Sequence, residues 1–206
     1  MIKAPIVRLL PQIKLPYKEI MARLGYRSSK TVMSSADEAR INSAINDAFS
    51  LCELSSYFRK IAITGRGDSS ILIETGNEIL SESFSVFTGG SGSLLVMAAS
   101  AGKGITDQIA ALVETQRMGL AVIFDAVASE CADSALDWTQ RYCSQLLKRS
   151  AERVSDNRFS PGYGDLNIET QRIFFDILAL DKYGFTLTPS SLLIPEKSVI
   201  GIAAVA

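Results

Sequence analysis

The residues with the most chemical capacity in this 206-residue chain lie in Asn157-Arg158-Phe159-Ser160-Pro161-Gly162-Tyr163-Gly164-Asp165, which follows a long run free of Gly and Pro. Arg158 offers a planar fork of donors suited to a carboxylate or phosphate. Pro161 stiffens the turn, Gly162 lets a ligand approach the backbone, and Tyr163 adds an aromatic face with a polar tip. From types and spacing alone, two readings stand side by side: a ligand loop, or a helix-ending turn whose arginine is a surface charge.

Other stretches carry less. Asp125, Glu130, Asp133 and Asp137 recur at near-helical spacing. They are either carboxylates available for acid–base work or a solvated stripe. Thr88–Ser93 (TGGSGS) precedes an apolar run with strand composition, so it reads as a loose hairpin turn and not as a phosphate cradle. Ala101–Gln108 (AGKGITDQ) sits between a strand and a helix but lacks either nucleotide-binding spacing. It reads as a strand-to-helix turn, with an anion site at the helix start as the alternative. The sequence contains no histidine. That removes Ser-His-Asp and Cys-His catalysis, histidine bases and imidazole-bound zinc, and leaves carboxylates, Lys, Tyr, Cys or a bound cofactor.

The elements that must hold these residues follow from periodicity. A short helix is expected from Tyr17 to Leu24, ended by Gly25, and a second over about residues 36–54. Strands are expected near 58–64, 70–74, 82–87 and 94–99, joined by hairpin-like turns into a largely antiparallel sheet. A helix from Ile105 should stop at Gly119, and a helix of about 30 residues, about 45 Å long, should follow from Leu120. A further helix after Asn167 runs to Gly184, and the C-terminal stretch has strand composition broken at Pro189 and Pro195. This order predicts an α+β fold.

The bulk numbers bound the rest. With 206 residues and 47% hydrophobic content, one domain spanning 1–206 is expected. Twenty-one basic and 22 acidic residues nearly cancel, which argues against a nucleic-acid partner. Prolines at 5, 11 and 16 interrupt any N-terminal apolar span, so a cytoplasmic protein that does not enter the membrane is expected. Cys52, Cys131 and Cys143 lack paired spacing and are read as reduced, mostly buried thiols.

Four linked pieces also resemble a known family. Arg158 with Pro161-Gly162-Tyr163, the helix after Asn167, Gly184-Phe185-Thr186-Leu187-Thr188-Pro189-Ser190, and Pro195-Glu196-Lys197-Ser198-Val199-Ile200-Gly201 follow the order found in the S-adenosylmethionine-binding activation module of cobalamin-dependent methionine synthase. Upstream, "EIMARLGYR" and "GLAVIFDAVASECADSALD" resemble elements of stand-alone members. The resemblance implies a C-shaped domain with a bent antiparallel sheet that binds S-adenosylmethionine on its concave side. It implies that Arg158 pairs with the ligand carboxylate, that Pro161, Gly162 and Tyr163 form the ligand loop, that Asp165 lies at a backbone contact, and that Asp133 falls near a ligand-contacting Glu. An N-terminal acidic contact and a C-terminal tyrosine contact of larger members find no counterpart here, so a low or lost ligand affinity is an expectation.

The implied role is reductive reactivation: a flavodoxin- or ferredoxin-type donor reduces cob(II)alamin, and S-adenosylmethionine methylates the product. The chain is too short to hold the other modules, so the cobalamin is expected on a partner, a corrinoid-binding methionine synthase subunit. The alternative is a non-catalytic docking or assembly module for another corrinoid methyltransferase system.

Overall fold

The computed structural model describes residues 5–26 and 33–206. Arg27, the last residue of the "EIMARLGYR" match, lies outside them.

The described chain begins with β1 (Val7–Leu9), α1 (Tyr17–Arg23) and α2 (Ser35–Ser50). Ser34 starts α2 by accepting a bond from the Asp37 amide at 3.1 Å, with Asp37 and Glu38 on the positive end of the helix dipole. Then follow β2 (Ser55–Arg66), β3 (Ser70–Ile73), β4 (Glu78–Leu80), α3 (Glu82–Thr88) and β5 (Ser93–Ser100). Next come α4 (Lys103–Glu114), α5 (Met118–Leu147), α6 (Gln171–Ile177), the short pair β6 (Thr186–Leu187) and β7 (Leu193–Ile194), and β8 (Ser198–Val205). Every strand pairing is antiparallel, in the order β4-β3-β2-β5-β8 with β1 beside β2. The expected α+β class with an antiparallel sheet and one long flanking helix is therefore the observed one.

Three sequence expectations need correcting. Residues 82–87 form helix α3 and not a strand. Phe84 and Val86 alternate as a strand would, but Phe84 is buried and Val86 is 74% exposed. Ser81 caps the helix by accepting from the Phe84 amide at 3.0 Å, and a side chain from the far end of the chain holds the remaining amides. Second, TGGSGS joins α3 to β5 and is not a hairpin turn between strands. Third, Gly119 lies inside the first turn of α5. The break from α4 falls at Thr115–Arg117, where Gln116 takes a positive φ of 57°. Strands β1 and β4 were not anticipated.

The sheet separates two packed layers. Tyr57 and Ile61 of β2, Leu94 and Val96 of β5, and Ile200 and Ile202 of β8 face α3, α6 and Phe185. Phe58, Leu95, Met97, Ala99, Ala203 and Val205 face the other way, toward Ala135, Leu136 and Cys143 of α5. Ala135 and Cys143 of α5 and Ala99 and Ala203 of the sheet are the small members of that second layer, and Phe58, Leu95, Met97 and Leu136 fill the space around them. A third cluster packs α5 against α1, α2 and α4. Cys131 and Cys143 are buried and Cys52 is half-buried, all as free thiols. Burial pushes the Cys143 thiol up to about 12. Among the described residues no helix is long and apolar enough to cross a membrane.

Candidate functional site

After α5 the chain turns back and runs along the outer edge of β8. Phe159 donates to the Ile202 carbonyl and accepts from its amide, both at 2.8 Å, and Val154 bridges Val205. Neighbours on an extended segment point to opposite faces. Phe159 enters the core beside Phe84 and Phe87, with ring centroids at 5.4 Å in each case. Arg158 consequently turns to the α5 side.

There the aliphatic stem of Arg158 crosses β8 at Gly201. A Cβ at that glycine would lie 3.1 Å from Arg158 Cδ and 2.9 Å from Leu136 Cδ2. The glycine of the C-terminal motif and the arginine of the loop are thus two halves of one contact. The guanidinium donates from Nη1 to Asp137 Oδ1 at 2.5 Å and to Gln140 Oε1 at 2.8 Å. Gln140 is held in turn by donating to the Ser155 and Asp156 carbonyls at 2.7 and 3.2 Å. Both arginine bonds leave from Nη1, so the Nη2 end has no protein partner among the described residues.

The loop then closes on itself. Gly162, at φ 90°, donates to the Leu166 carbonyl at 2.8 Å, and Leu166 donates to the Tyr163 carbonyl at 3.0 Å. Pro161 is buried, while Tyr163 stays 69% exposed. Asp165 points away from this face. Its carboxylate accepts from the Ser81 hydroxyl at 2.5 Å, the Glu82 amide at 2.7 Å, the Ser83 amide at 3.2 Å and the Ser83 hydroxyl. The Ser81 and Ser83 hydroxyls, followed by the Glu82 and Ser83 amides, hold its pKa well below the usual carboxylate range. Asp165 is therefore the distant side chain that makes 82–88 a helix.

Asp133, Arg158, Pro161 and Tyr163 line one cleft of about 770 Å3, closed on its far side by Leu192, Leu193 and the Glu196–Ile200 stretch. Gly162 sits between two of these lining residues, and the Asp165 side chain is outside. Asp133 is half exposed, one turn from Asp137. Burial raises its pKa, Glu130 adds to the rise, and Arg23 and Arg158 oppose it. The acidic stripe of α5 is not left to solvent. Asp125 pairs with Lys197 and Glu130 with Arg23, each at 2.5 Å, and Asp137 pairs with Arg158. On β8, Ile202 directs its amide outward to Phe159, so by antiparallel alternation Ile200 directs its amide and carbonyl the same way, into the cleft.

Sequence reasoning missed Gln140, Glu196 and Lys197 as parts of this site, and named Asp137 only as a member of a stripe. Asp137 and Gln140 share a helix face by their i,i+3 spacing. That they face Arg158 depends on the chain reversal after α5, for which the sequence carries no local signal.

No family model matches the chain, and no curated protein matches it by sequence. Among solved structures it is similar to the MetH reactivation domain bound to AdoHcy, with 13% sequence identity and a TM-score of 0.69. The match covers 98% of this chain and 79% of that one. At this identity the likeness establishes the fold. The chain has the activation-domain fold that the Arg158–Gly201 pattern led us to expect.

Proposed function

We propose that this chain binds S-adenosylmethionine in the Arg158 cleft and supports reductive methylation of a corrinoid. The corrinoid is carried by a separate corrinoid-binding methionine synthase subunit and reduced by a flavodoxin- or ferredoxin-type donor. The observation that carries the reading is the charge arrangement of the cleft. Four carboxylates (Asp133, Asp137, Asp156, Glu196) face two cations (Arg158, Lys197), with the arginine fork on the same wall. Such a lining suits a ligand of net positive charge that also bears a carboxylate, and the amino-acid and sulfonium groups of S-adenosylmethionine have that character.

When bound, S-adenosylmethionine supplies an electrophilic methyl group. The protein's own residues bind and orient. Arg158 takes the ligand carboxylate with its unpartnered Nη2 end, while Asp137 and Gln140 fix the plane of the guanidinium. Asp133 and Glu196 oppose the ligand's positive groups, and the exposed Tyr163 ring offers a cation an aromatic face. Calorimetry tests this. Wild type is expected to bind S-adenosylmethionine, and Arg158→Ala to bind roughly 10- to 150-fold more weakly, the loss of hydrogen bonds to a charged group. Absence of wild-type binding at millimolar ligand would overturn the reading.

One observation favours the docking-module alternative: Arg158 already has Asp137 as counter-ion. Transfer of a labelled methyl group from S-adenosylmethionine to a reconstituted cobalamin partner, with a flavodoxin-type donor, would exclude that alternative.

A further inference from the structure

The stretch Ala101–Gln108 takes no part in the Arg158 cleft. It borders a second cavity of about 640 Å3, which shares no lining residue with the first. This cavity lies where β2 begins and β5 ends, walled by the β1 segment, the end of α2, the start of α4 and the corner at Tyr183–Phe185. We propose that it binds a small aromatic anion, a planar ring bearing one carboxylate or phosphate.

Four features converge there. The first is the start of α4, a 12-residue helix whose N-cap, Gly102, supplies no side-chain cap and whose first turn holds no acidic residue. Gly102 and Lys103 of this turn line the cavity; the Gly102 amide is bonded to Ser100 Oγ at 3.0 Å, and the Lys103 amide lies at the positive end of the helix dipole. The second is Tyr57, which lines the cavity and is only 2% exposed, yet whose hydroxyl has no hydrogen-bond partner among the described residues. Among the described residues Arg59 Nε alone is a buried side-chain polar atom without a partner, so the Tyr57 hydroxyl oxygen itself is reached by solvent. It opens into the cavity and can exchange water for an acceptor on a ligand.

The third is Arg8. It stands directly opposite Tyr57 in the β1–β2 ladder, so both side chains lie on one face, and it has no carboxylate partner among the described residues. The fourth is the ring wall. Tyr183 lies 4.5 Å from Tyr57 by centroids, Phe185 meets Tyr57 edge-on at 5.6 Å, and Tyr183 keeps 37% of its surface exposed.

The lining charges agree with an anionic ligand. Among the described residues Glu53 is the one carboxylate on the wall, against Arg8 and Lys103. Lys103 shares its charge with Asp107, which leaves Arg8, the Tyr57 hydroxyl and the Lys103 amide to hold the acid group. The ring then packs against Tyr183 and the apolar side chains of Ile13 and Leu54.

An amide-resolved NMR titration tests the proposal, with indole-3-acetate as the aromatic-anion probe. Its uncharged analogue tryptophol and ringless acetate serve as comparison arms at equal ionic strength. Indole-3-acetate is expected to give saturable shifts at Ser55–Tyr57, Ser100–Lys103 and Tyr183–Phe185, with both comparison compounds at least about tenfold weaker. Tyr57→Phe keeps the ring wall and should weaken binding about fivefold, the loss of one net hydrogen bond. Arg8→Gln, at the exposed position of β1, should weaken it by a similar factor, about three- to tenfold. Neither change should alter S-adenosylmethionine binding. Shifts absent from these residues up to about 10 mM probe, equal binding of tryptophol, or unchanged affinity in both variants would each overturn the proposal.

Discussion

Thr88–Ser93 and Asn157–Asp165 are both short, glycine-bearing stretches that join regular elements, and only the second carries an arginine, a proline and a tyrosine. The structure treats them differently. A Cβ added at Gly90 or Gly92 would meet nothing within 4 Å, and neither residue takes a positive φ. In the second stretch, Gly164 sits at φ 56° with Ser83 Oγ 2.8 Å from where a Cβ would lie. Arg158 is threaded past Gly201, Phe159 is bonded to β8, and Asp165 is bonded to α3. The first stretch has its own positive φ, 48° at Gly89, and is tied to one strand. Arg66 of β2 donates to Thr88 Oγ1 at 2.9 Å and to the Ser91 carbonyl at 2.6 Å, and the Ile63 amide donates to the Gly92 carbonyl at 2.9 Å. The second is held by three separate elements, α5 through Asp137, β8 and α3, as a loop must be if it is to present an arginine in one orientation.

Substitutions can break or sharpen that contrast. The largest effect is expected at Gly201, which underlies the loop. Gly201→Ala forces a methyl against Leu136 and Arg158 and should cost about 1–3 kcal/mol by overpacking, read from denaturant unfolding. It should also abolish S-adenosylmethionine binding by calorimetry, because the arginine stem must move. Next comes Gly164→Ala, at about 1–2 kcal/mol for a positive φ with a close neighbour. Retention of wild-type stability there would show that Ser83 and the loop have room to shift.

Asp165→Asn should be milder, and legible in its pH dependence. The folded protein depresses this carboxyl, so its contribution is fully present above the unfolded value of about 4 and fades as pH falls toward the folded value. Thermal melts should show the variant with a lower Tm at neutral pH and a shallower acid decline than wild type; parallel curves would show that the Ser81 and Ser83 bonds carry no net stability. The smallest effect is expected from Gly90→Ala, within about 0.5 kcal/mol of wild type. A loss equal to that of Gly164→Ala would erase the distinction between the two stretches.

Legibility in the sequence followed the range of the forces involved. Helix α5 was readable because its period persists over 30 residues and needs only one apolar side. The Arg158–Tyr163 loop was readable as a chemically equipped turn, and its order with the pieces that follow as far as Gly201 resembles the activation module whose fold the chain has. Residues 82–87 were misread as a strand because Phe84 and Val86 satisfy a two-residue period, while Asp165, which decides for helix, is 83 residues from Glu82. Gly119 was misread as a stop because a glycine in the first turn of a helix has the same local signature as one after the last.

The sequence by itself determined the α+β class, the long helix and the exclusion of histidine chemistry, and it left the Arg158 stretch as either a ligand loop or a helix-ending turn. These follow from composition and from periods of two and 3.6, which each segment carries within itself. Only the tertiary structure decided that Asp137 and Gln140 orient Arg158, that Asp133 and Glu196 share its cleft, and that the Asp165 side chain serves α3 instead of the cleft. Those relations join residues from separate elements, and they arise when the chain reverses after α5 and hydrogen-bonds along the open edge of β8.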